Sequence, residues 1–357
     1  MLSLYLHIPF CATVCSYCSF SVLENQSEEI IKKYLDALHN EIAHYGNLFP
    51  KAEIKSIYFG GGTPNLIGAK ELIKLIDHID QLFDCENVGE LSFECNPFPQ
   101  EEIYDLVQQI NSTYRKRPRV RFSFGIQSLD NSVLSKAGRP YTFPGMVDFI
   151  RGLRDLKQEN TIFNFDFIAF GKFNTSKKGD EYLRTPNAVE FLQTLANSKF
   201  ADSFSLYTLE LFENQRRKKS EKNQLIEQGC FGTEDDIYEE FDYLKELLLD
   251  AGYKRYEISN FSLLSKSSIH NRVYREMENY LGFGLNASSF IKAGSPYFSS
   301  FTKELQLSSD CSGVRFTNTP YLPKYLQGEL INSESVEQMK KSDFLIEKFF
   351  LSLRTDR

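Results

Sequence analysis

Apolar residues along this chain recur with two periods, which predict alternating strands and helices. Residues 2–8, with the sequence LSLYLHI, alternate apolar side chains with other types, as a buried β-strand does. Residues 27–45 begin with a serine and two glutamates, repeat apolar side chains at helical spacing and precede Gly46, which predicts a capped amphipathic helix. The chain therefore starts with a strand, a loop and a helix.

The same order of strand and helix recurs five more times. Such alternation is typical of parallel strands joined by right-handed crossovers. Because a closed barrel of this kind needs eight strands, we expect an α/β fold with an open, partial (β/α)6 TIM-like barrel. A doubly wound open sheet is the alternative. The further strands are predicted at residues 55–59, 90–94, 119–124, 161–170 and 203–207, and the further helices at residues 69–83, 99–110, 145–156, 186–197 and 235–251.

Composition and charge narrow the class of protein. The 357 residues carry a formal net charge of −7, which argues against a general nucleic-acid binder. The basic run at residues 216–219 has no interleaved aromatic residues and is expected on a solvated loop. Neither a long apolar stretch nor a basic region before an apolar one at the N-terminus is present, so we expect no membrane span and no secretory signal. With seven cysteines that suit a reducing compartment, this predicts a cytoplasmic protein.

Three cysteines follow the first predicted strand within eight residues. Cys11, Cys15 and Cys18 place three soft anionic ligands on one short loop. Iron-sulfur clusters are usually held by four thiolates, so three without an obvious fourth suggest a cluster with one iron left open. Two alternatives remain: a zinc ion bound by these three thiols and His7, and buried cysteines that bind nothing.

Other unusual residues also follow predicted strands, and the carboxyl ends of parallel barrel strands form one mouth. Residues 60–64, with the sequence GGGTP, follow the second strand, Glu94 the third and Gln127 the fourth, while Asp166 lies in the fifth. Successive glycines let backbone approach a ligand closely, although a simple tight turn is the alternative. Beside a metal, this arrangement favours a small zwitterionic or nucleoside ligand.

The cysteine and glycine motifs together resemble the radical S-adenosylmethionine (SAM) superfamily, and within it the family of oxygen-independent coproporphyrinogen III oxidase. The resemblance rests on YLHIPF followed by Cys-x3-Cys-x-aromatic-Cys, and then on YFGGGTP. It implies that Cys11, Cys15 and Cys18 bind a 4Fe-4S cluster whose open iron chelates SAM, and that reduction cleaves SAM to a 5′-deoxyadenosyl radical. The SAM contacts that it implies are Tyr5, Tyr17, Gly61, Gly62, Thr63, Glu94, Gln127, Arg139 and Asp166.

Two positions favour the heme chaperone (HemW) branch of that family. The oxidase resembles this chain but carries a fourth cysteine where Phe20 stands, and the chaperone branch shares the sequence HNRVY at residues 270–274. The resemblance implies a protein that binds heme and delivers it to hemoproteins, with His270 as the heme ligand. A histidine bonded to neighbouring backbone is the alternative for His270. The alternative function is an oxygen-independent coproporphyrinogen III oxidase or a related radical SAM methyltransferase, and SAM cleavage is left open.

The chain also departs from the chaperone branch. After residues 279–284 the chain reads LNAS, where the family usually continues with a histidine, and Asp166 is not followed by the usual glycine-leucine-proline. We expect residues 1–252 to form the radical SAM barrel and residues 253–357 a C-terminal extension. The family's helical C-terminal domain is expected to be truncated, with residues 335–353 forming only its connecting helix. Expected partners are heme or a porphyrin and an unidentified acceptor hemoprotein, with no nucleic acid; a membrane-associated acceptor and a homodimer are open.

Overall fold

The computed structural model describes residues 1–172, 186–210 and 231–355, and the basic run at residues 216–219 lies outside them. Within these ranges the chain forms a 12-stranded open sheet with helices against it, and a separate two-stranded sheet. The strands are β1 (Leu2–Ile8), β2 (Phe10–Cys11), β3 (Leu23–Glu24), β4 (Ile54–Gly61), β5 (Glu90–Cys95), β6 (Val120–Gln127), β7 (Thr161–Ala169), β8 (Ser203–Thr208), β9 (Lys254–Glu257), β10 (Asn260–Ser262), β11 (Tyr280–Phe283), β12 (Ser288–Lys292), β13 (Cys311–Thr317) and β14 (Glu337–Lys340).

Helices follow the barrel strands in the predicted order. Ser27 caps α1 through the backbone N–H of Ile30, as its position before two glutamates predicts. In the part of the chain that the structure describes, no helix is both long and apolar enough to cross a bilayer. The helices are α1 (Glu28–Leu48), α2 (Gly68–Leu82), α3 (Gln100–Thr113), α4 (Asn131–Lys136), α5 (Phe143–Gly152), α6 (Pro186–Ser198), α7 (Glu234–Asp250), α8 (Ile269–Arg275), α9 (Phe298–Glu304), α10 (Leu322–Leu326) and α11 (Lys341–Ser352).

Strand order confirms the open partial barrel. The strands β1, β4, β5, β6, β7 and β8 are parallel and lie side by side in that order, without the reversal of strand order that a doubly wound sheet contains. Strand β8 pairs with β10 rather than with β1, so the ring of strands is not closed.

Residues after the barrel extend the same sheet. Strand β11 pairs in parallel with β1, and β12, β13 and β14 continue from it antiparallel. One correction concerns residues 335–353, which were expected to be a single helix. Glu337–Lys340 instead form edge strand β14 beside β13, and the helix begins only at Lys341.

The two faces of the barrel strands differ in polarity. Apolar side chains such as Phe93, Phe122 and Phe165 point toward the helices and join the main core. The alternate residues are mostly polar and hydrogen-bond to one another across strands. Ser56 donates to Ser3 at 2.9 Å, and Asn164 donates to Ser205 at 3.0 Å. The barrel therefore encloses a polar interior whose carboxyl-end mouth can receive a ligand.

Candidate functional site

The cysteine loop is anchored at both ends beside the barrel mouth. Cys11 ends β2, which pairs with β3, so the stem of the loop is a small two-stranded ribbon. At the tip, the Ser16 backbone N–H donates to the Ala137 carbonyl at 3.2 Å, which ties the loop to the segment after α4. Cys11, Cys15 and Cys18 are half-buried thiols outside any disulfide. The loop thus presents three thiols from a fixed frame.

The thiols interact with one another and with two polar neighbours. Burial raises the pKa of Cys11, a hydrogen bond with Thr63 opposes that rise, and the charges of Cys18 and Cys15 add to it. Cys11 Sγ lies 3.5 Å from Thr63 Oγ1, and Arg139 Nη1 donates to Cys15 Sγ at 3.4 Å. The Arg139 guanidinium thus places a positive charge directly beside the Cys15 sulfur.

The glycine run packs against the end of β1. Gly61 has φ +112°, and a Cβ there would lie 2.5 Å from the His7 ring. The Gly62 N–H donates to Ile8 O and the Thr63 N–H to Phe10 O, both at 2.8 Å. Side chains are therefore excluded at the point where this backbone meets the start of the cysteine loop.

Glu94 is a buried acceptor at the mouth. Tyr58 Oη donates to its Oε1 at 2.7 Å, and the Gly61 N–H donates to its Oε2 at 3.0 Å. Burial raises the pKa of Glu94, and these two hydrogen bonds oppose that rise. Tyr5 stacks on Tyr58 with ring centroids 6.0 Å apart. Glu94 thus has a fixed orientation beside the glycine run.

Arg139 and Gln127 meet at the end of β6. Arg139 Nη2 donates to Gly125 O at 2.7 Å and its Nε donates to Tyr141 Oη at 2.6 Å. A Cβ at Gly125 would lie 2.7 Å from Gln127 Nε2 and 2.9 Å from Arg139 Nη2. Gln127 has φ +66°, a backbone strain that a non-glycine residue adopts where surrounding contacts impose it.

Asp166 lies deeper in the barrel, and Tyr17 lies on the cysteine loop. Asp166 accepts hydrogen bonds from Ser123 at 2.9 Å and Asn164 at 2.7 Å. Burial raises the pKa of Asp166. The negative charge of Asp166 in turn helps to raise the pKa of Glu94, so the two carboxyl groups interact electrostatically. The Tyr17 ring packs edge-on against Phe170 at 5.8 Å.

Comparison with known proteins matches this arrangement to one family. The model of the radical SAM superfamily matches residues 5–184, which hold the cysteine loop, the glycine run, Glu94, Arg139 and Asp166. The chain belongs to the radical SAM superfamily.

Curated relatives place this radical SAM chain in the HemW branch. It is 27% identical over 353 residues to the heme chaperone HemW of Lactococcus lactis subsp. lactis (strain IL1403), covering 99% of this chain and 81% of the relative. It is 30% identical over 286 residues to the heme chaperone HemW of Buchnera aphidicola subsp. Schizaphis graminum (strain Sg), covering 80% of this chain and 69% of the relative.

Coproporphyrinogen oxidases are also related to this radical SAM chain. The oxygen-independent coproporphyrinogen III oxidase of Salmonella typhimurium is 24% identical over 312 residues, covering 82% of this chain and 62% of that protein. The solved structure of coproporphyrinogen III oxidase (HemN) from Escherichia coli, described as a radical SAM enzyme, has a TM-score of 0.70 and 20% identity, covering 99% of this chain and 76% of that one. That likeness shows the shared fold.

Radical SAM membership implies a 4Fe-4S cluster and SAM, and the donor set fits such a cluster better than zinc. In the described ranges, no three His, Cys, Asp or Glu side chains converge on a single ion. A cluster does not need that, because each thiolate binds its own iron. His7, the predicted fourth zinc ligand, is already used: its Nε2 donates to Ser21 O at 2.8 Å and its Nδ1 accepts from Tyr5 Oη at 3.0 Å.

His270 lies apart from the mouth of the radical SAM barrel. It belongs to α8, whose first N–H groups donate to Glu90 at the opposite end of β5 from Glu94. Its Nδ1 lies 2.8 Å from Ser56 Oγ and its Nε2 lies 2.8 Å from Tyr274 Oη. Burial lowers the pKa of His270 to about 3. Heme ligation by His270 stays a prediction, and it requires one of these two contacts to break.

Sequence reasoning missed Tyr58 and Glu90. Tyr58 bonds to Glu94 on one side and stacks on His270 on the other, with ring centroids 4.9 Å apart, so it connects the mouth to the base of the barrel. Glu90 holds the start of α8. The available signal was the alternation within strands: both residues occupy the inward register that also contains Ser56, Ser92 and Glu94.

Proposed function

We propose that this chain is a heme chaperone of radical SAM type, which binds a 4Fe-4S cluster, SAM and heme and delivers heme to hemoproteins. The observation that carries the proposal is the similarity to curated HemW heme chaperones over most of the chain. The acceptor hemoprotein is unidentified.

In this proposal the barrel mouth holds both cofactors. Cys11, Cys15 and Cys18 hold the cluster, which when bound supplies the electron that can cleave SAM. Arg139 keeps a positive charge against Cys15. Glu94, oriented by Tyr58 and Gly61, offers a carboxylate to the donor groups of SAM. The remaining proposed SAM contacts are Tyr5, Gly62, Thr63 and Gln127, together with Tyr17 on the cysteine loop and Asp166 deeper in the barrel.

Phe20 favours a chaperone over a decarboxylase. It occupies the position where the resemblance predicts a fourth cysteine in the oxidase, and 65% of its surface is exposed. A phenyl ring neither ligates a metal nor transfers a proton, so any step of the oxidase that uses that thiol is lost.

Heme titration tests the cargo. Purified protein is expected to give a Soret shift on addition of heme, and His270→Ala should change its position if His270 is the axial ligand. His44→Ala, which removes an exposed histidine from α1, is the matched control and should leave the shift as in the wild type. No Soret shift with wild-type protein contradicts the chaperone proposal. A shift unchanged by His270→Ala contradicts His270 as the ligand.

Two further measurements separate the rival functions. Anaerobic reconstitution should give iron and sulfide with a visible cluster spectrum, and replacement of all three loop cysteines by serine should abolish both. Incubation of reconstituted protein with coproporphyrinogen III, SAM and a reductant should give no vinyl product. Vinyl products would overturn the chaperone assignment in favour of the oxidase.

A further inference from the structure

Two histidines on neighbouring outer helices direct the same ring atom at each other. His39 of α1 and His78 of α2 have their Nδ1 atoms 2.8 Å apart, with ring planes inclined by 42°. Both side chains are half-buried at the surface where the two helices pack together. A contact of this length requires one Nδ1–H to donate to the lone pair of the other Nδ1.

This separation is the one that two ligands of the same metal ion adopt. Late transition-metal ions bind imidazole nitrogen at about 2.0–2.1 Å, so neighbouring ligands lie roughly 2.8–3.4 Å apart in square-planar to tetrahedral geometry. The observed distance falls at the square-planar end of that range. An ion can therefore bind both nitrogens with ring rotations and without moving either helix.

The surroundings of His39 and His78 favour neutral imidazole rings, which can bind a metal ion. Burial lowers the pKa of His39 and of His78, and the neighbouring imidazole lowers that of His39 further. Asp36 and Glu71 act on His39 in the opposite direction, while Lys74 lowers its pKa and pairs with Glu71 at 2.7 Å. Neutral imidazoles are the form that binds metal, and Asp36 with the Glu71–Lys74 pair leaves one net negative charge nearby, which attracts a cation.

We infer that His39 and His78 form a binding site for a divalent late transition-metal ion such as Ni²⁺, Cu²⁺ or Zn²⁺, separate from the cysteine loop. On binding, the proton between the two Nδ1 atoms moves through solvent to Nε2 of its own ring. Both Nδ1 lone pairs then coordinate the ion, and water completes the coordination sphere.

Such an ion would link the two helices that follow the cysteine loop and the glycine run. Helix α1 begins soon after the cysteine loop, and α2 begins at Gly68, directly after the turn that follows the glycine run. Binding to the folded state alone stabilises it by mass action, so metal should raise the melting temperature.

Thermal unfolding with Ni²⁺ tests the site by a difference between variants. Wild-type protein and His44→Gln, which alters an exposed histidine of the same helix, should show the same Ni²⁺-dependent rise in melting temperature. His39→Gln and His78→Gln should each lose that rise, measured against their own melting temperature without metal. An equal rise in all four proteins overturns the proposal, because the ion then binds elsewhere, at the cysteine loop for example.

A second measurement uses the wild-type chain alone, in case a variant folds poorly. Diethylpyrocarbonate modifies accessible imidazoles, and peptide mass spectrometry reports the extent at each histidine. Ni²⁺ should protect His39 and His78 while His44 in the same sample is modified as before. Equal modification of His39 and His78 with and without Ni²⁺ overturns the proposal.

Discussion

At the scale of single residues, the contact between Arg139 and Cys15 has a measurable electrostatic consequence. A guanidinium that donates to a cluster thiolate stabilises the reduced cluster, which carries the additional negative charge. Arg139→Gln should therefore lower the reduction potential of the proposed cluster, by on the order of tens of millivolts. Anaerobic redox titration followed by the visible spectrum measures that shift.

The matched variant is Arg139→Lys. It keeps the charge but loses the planar fork that also bonds to Gly125 O and Tyr141, so its potential should lie between those of the wild type and Arg139→Gln. A potential in Arg139→Gln equal to or above that of the wild type would show that the guanidinium does not act on the cluster.

His270 makes stability depend on pH. Its pKa is lowered to about 3 in the native state against 6.5 ordinarily, so the unfolded chain takes up a proton that the native state refuses. Stability from this group is therefore lost as pH falls from about 6.5 toward 3, by roughly 2 kcal/mol at about pH 5. Urea unfolding of wild-type protein and His270→Gln at pH 7.5 and 5.0 checks this.

The comparison isolates His270 because other titrating groups are the same in both proteins. The loss of unfolding free energy between the two pH values should be larger in the wild type by that amount. Equal losses would mean that His270 takes up its proton in the native state near its ordinary pKa.

Sequence can predict which residues stand at a strand end because that prediction needs only the strand and its direction. Glu94 is the last residue but one of β5 and Gln127 is the last residue of β6, as that argument predicts, and their role as SAM contacts stays a prediction. Tyr58 could not be predicted as a site residue, because the sequence does not distinguish an aromatic residue of a strand that packs in the core from one that faces a site. The contacts of His270 depend on which end of the barrel α8 packs against, which no local pattern encodes.

At the scale of elements, the sequence predicts a strand or a helix where the buried apolar side chains lie on one face of that element. Helix α2 and strand β5 match their predicted ranges to within one residue at each end, because their apolar positions follow a single period. Glu337–Lys340 contain too few apolar residues to predict a strand, and the segment is extended because it pairs with β13. Long-range pairing, rather than local preference, decides such an edge.

Helix α1 is joined to the C-terminal extension by one buried carboxyl. Glu41 accepts from Tyr325 Oη at 2.7 Å, Gly284 N at 2.8 Å and Asn318 Nδ2 at 2.6 Å. Burial raises the pKa of Glu41 to about 7 despite these donors. The native state therefore holds a proton that the unfolded chain releases, and the stability from this group is lost as pH rises through about 7.

Glu41→Gln should remove this loss of stability at high pH, because a neutral amide resembles the protonated carboxyl and does not titrate. The difference in free energy of unfolding, Glu41→Gln minus wild type, should become more positive by roughly 2 kcal/mol as pH rises from 5 to 8. Glu29→Gln, an exposed change in the same helix, is the control and should show no such trend. A Glu41→Gln curve parallel to that of the wild type would mean that Glu41 is already ionised at pH 5.

At the scale of the whole molecule, the sheet runs without a break from the barrel into the extension. Strand β11 is a parallel neighbour of β1, with Ser3 opposite Tyr280 and Leu6 opposite Phe283. One core cluster contains apolar side chains of the barrel, such as Leu4, together with side chains of the extension, such as Phe316. The division at residues 252 and 253 remains a prediction, and the shared core suggests that the two parts unfold together.

Single tryptophans can test that cooperativity, because the chain has none of its own. Phe143→Trp reports on the barrel and Phe298→Trp on the extension; both side chains are only partly buried, so either change should be tolerated. In each variant the fluorescence transition in urea should coincide with its own far-ultraviolet circular dichroism transition, since exposing β11 removes the partner of β1.

If Phe298→Trp fluorescence changes at a lower urea concentration than the circular dichroism of the same variant, the extension opens independently and residues 253–357 form a separate folding unit. That result would leave β1 as an exposed parallel edge, and the cysteine loop that follows it would then lose order in the same step.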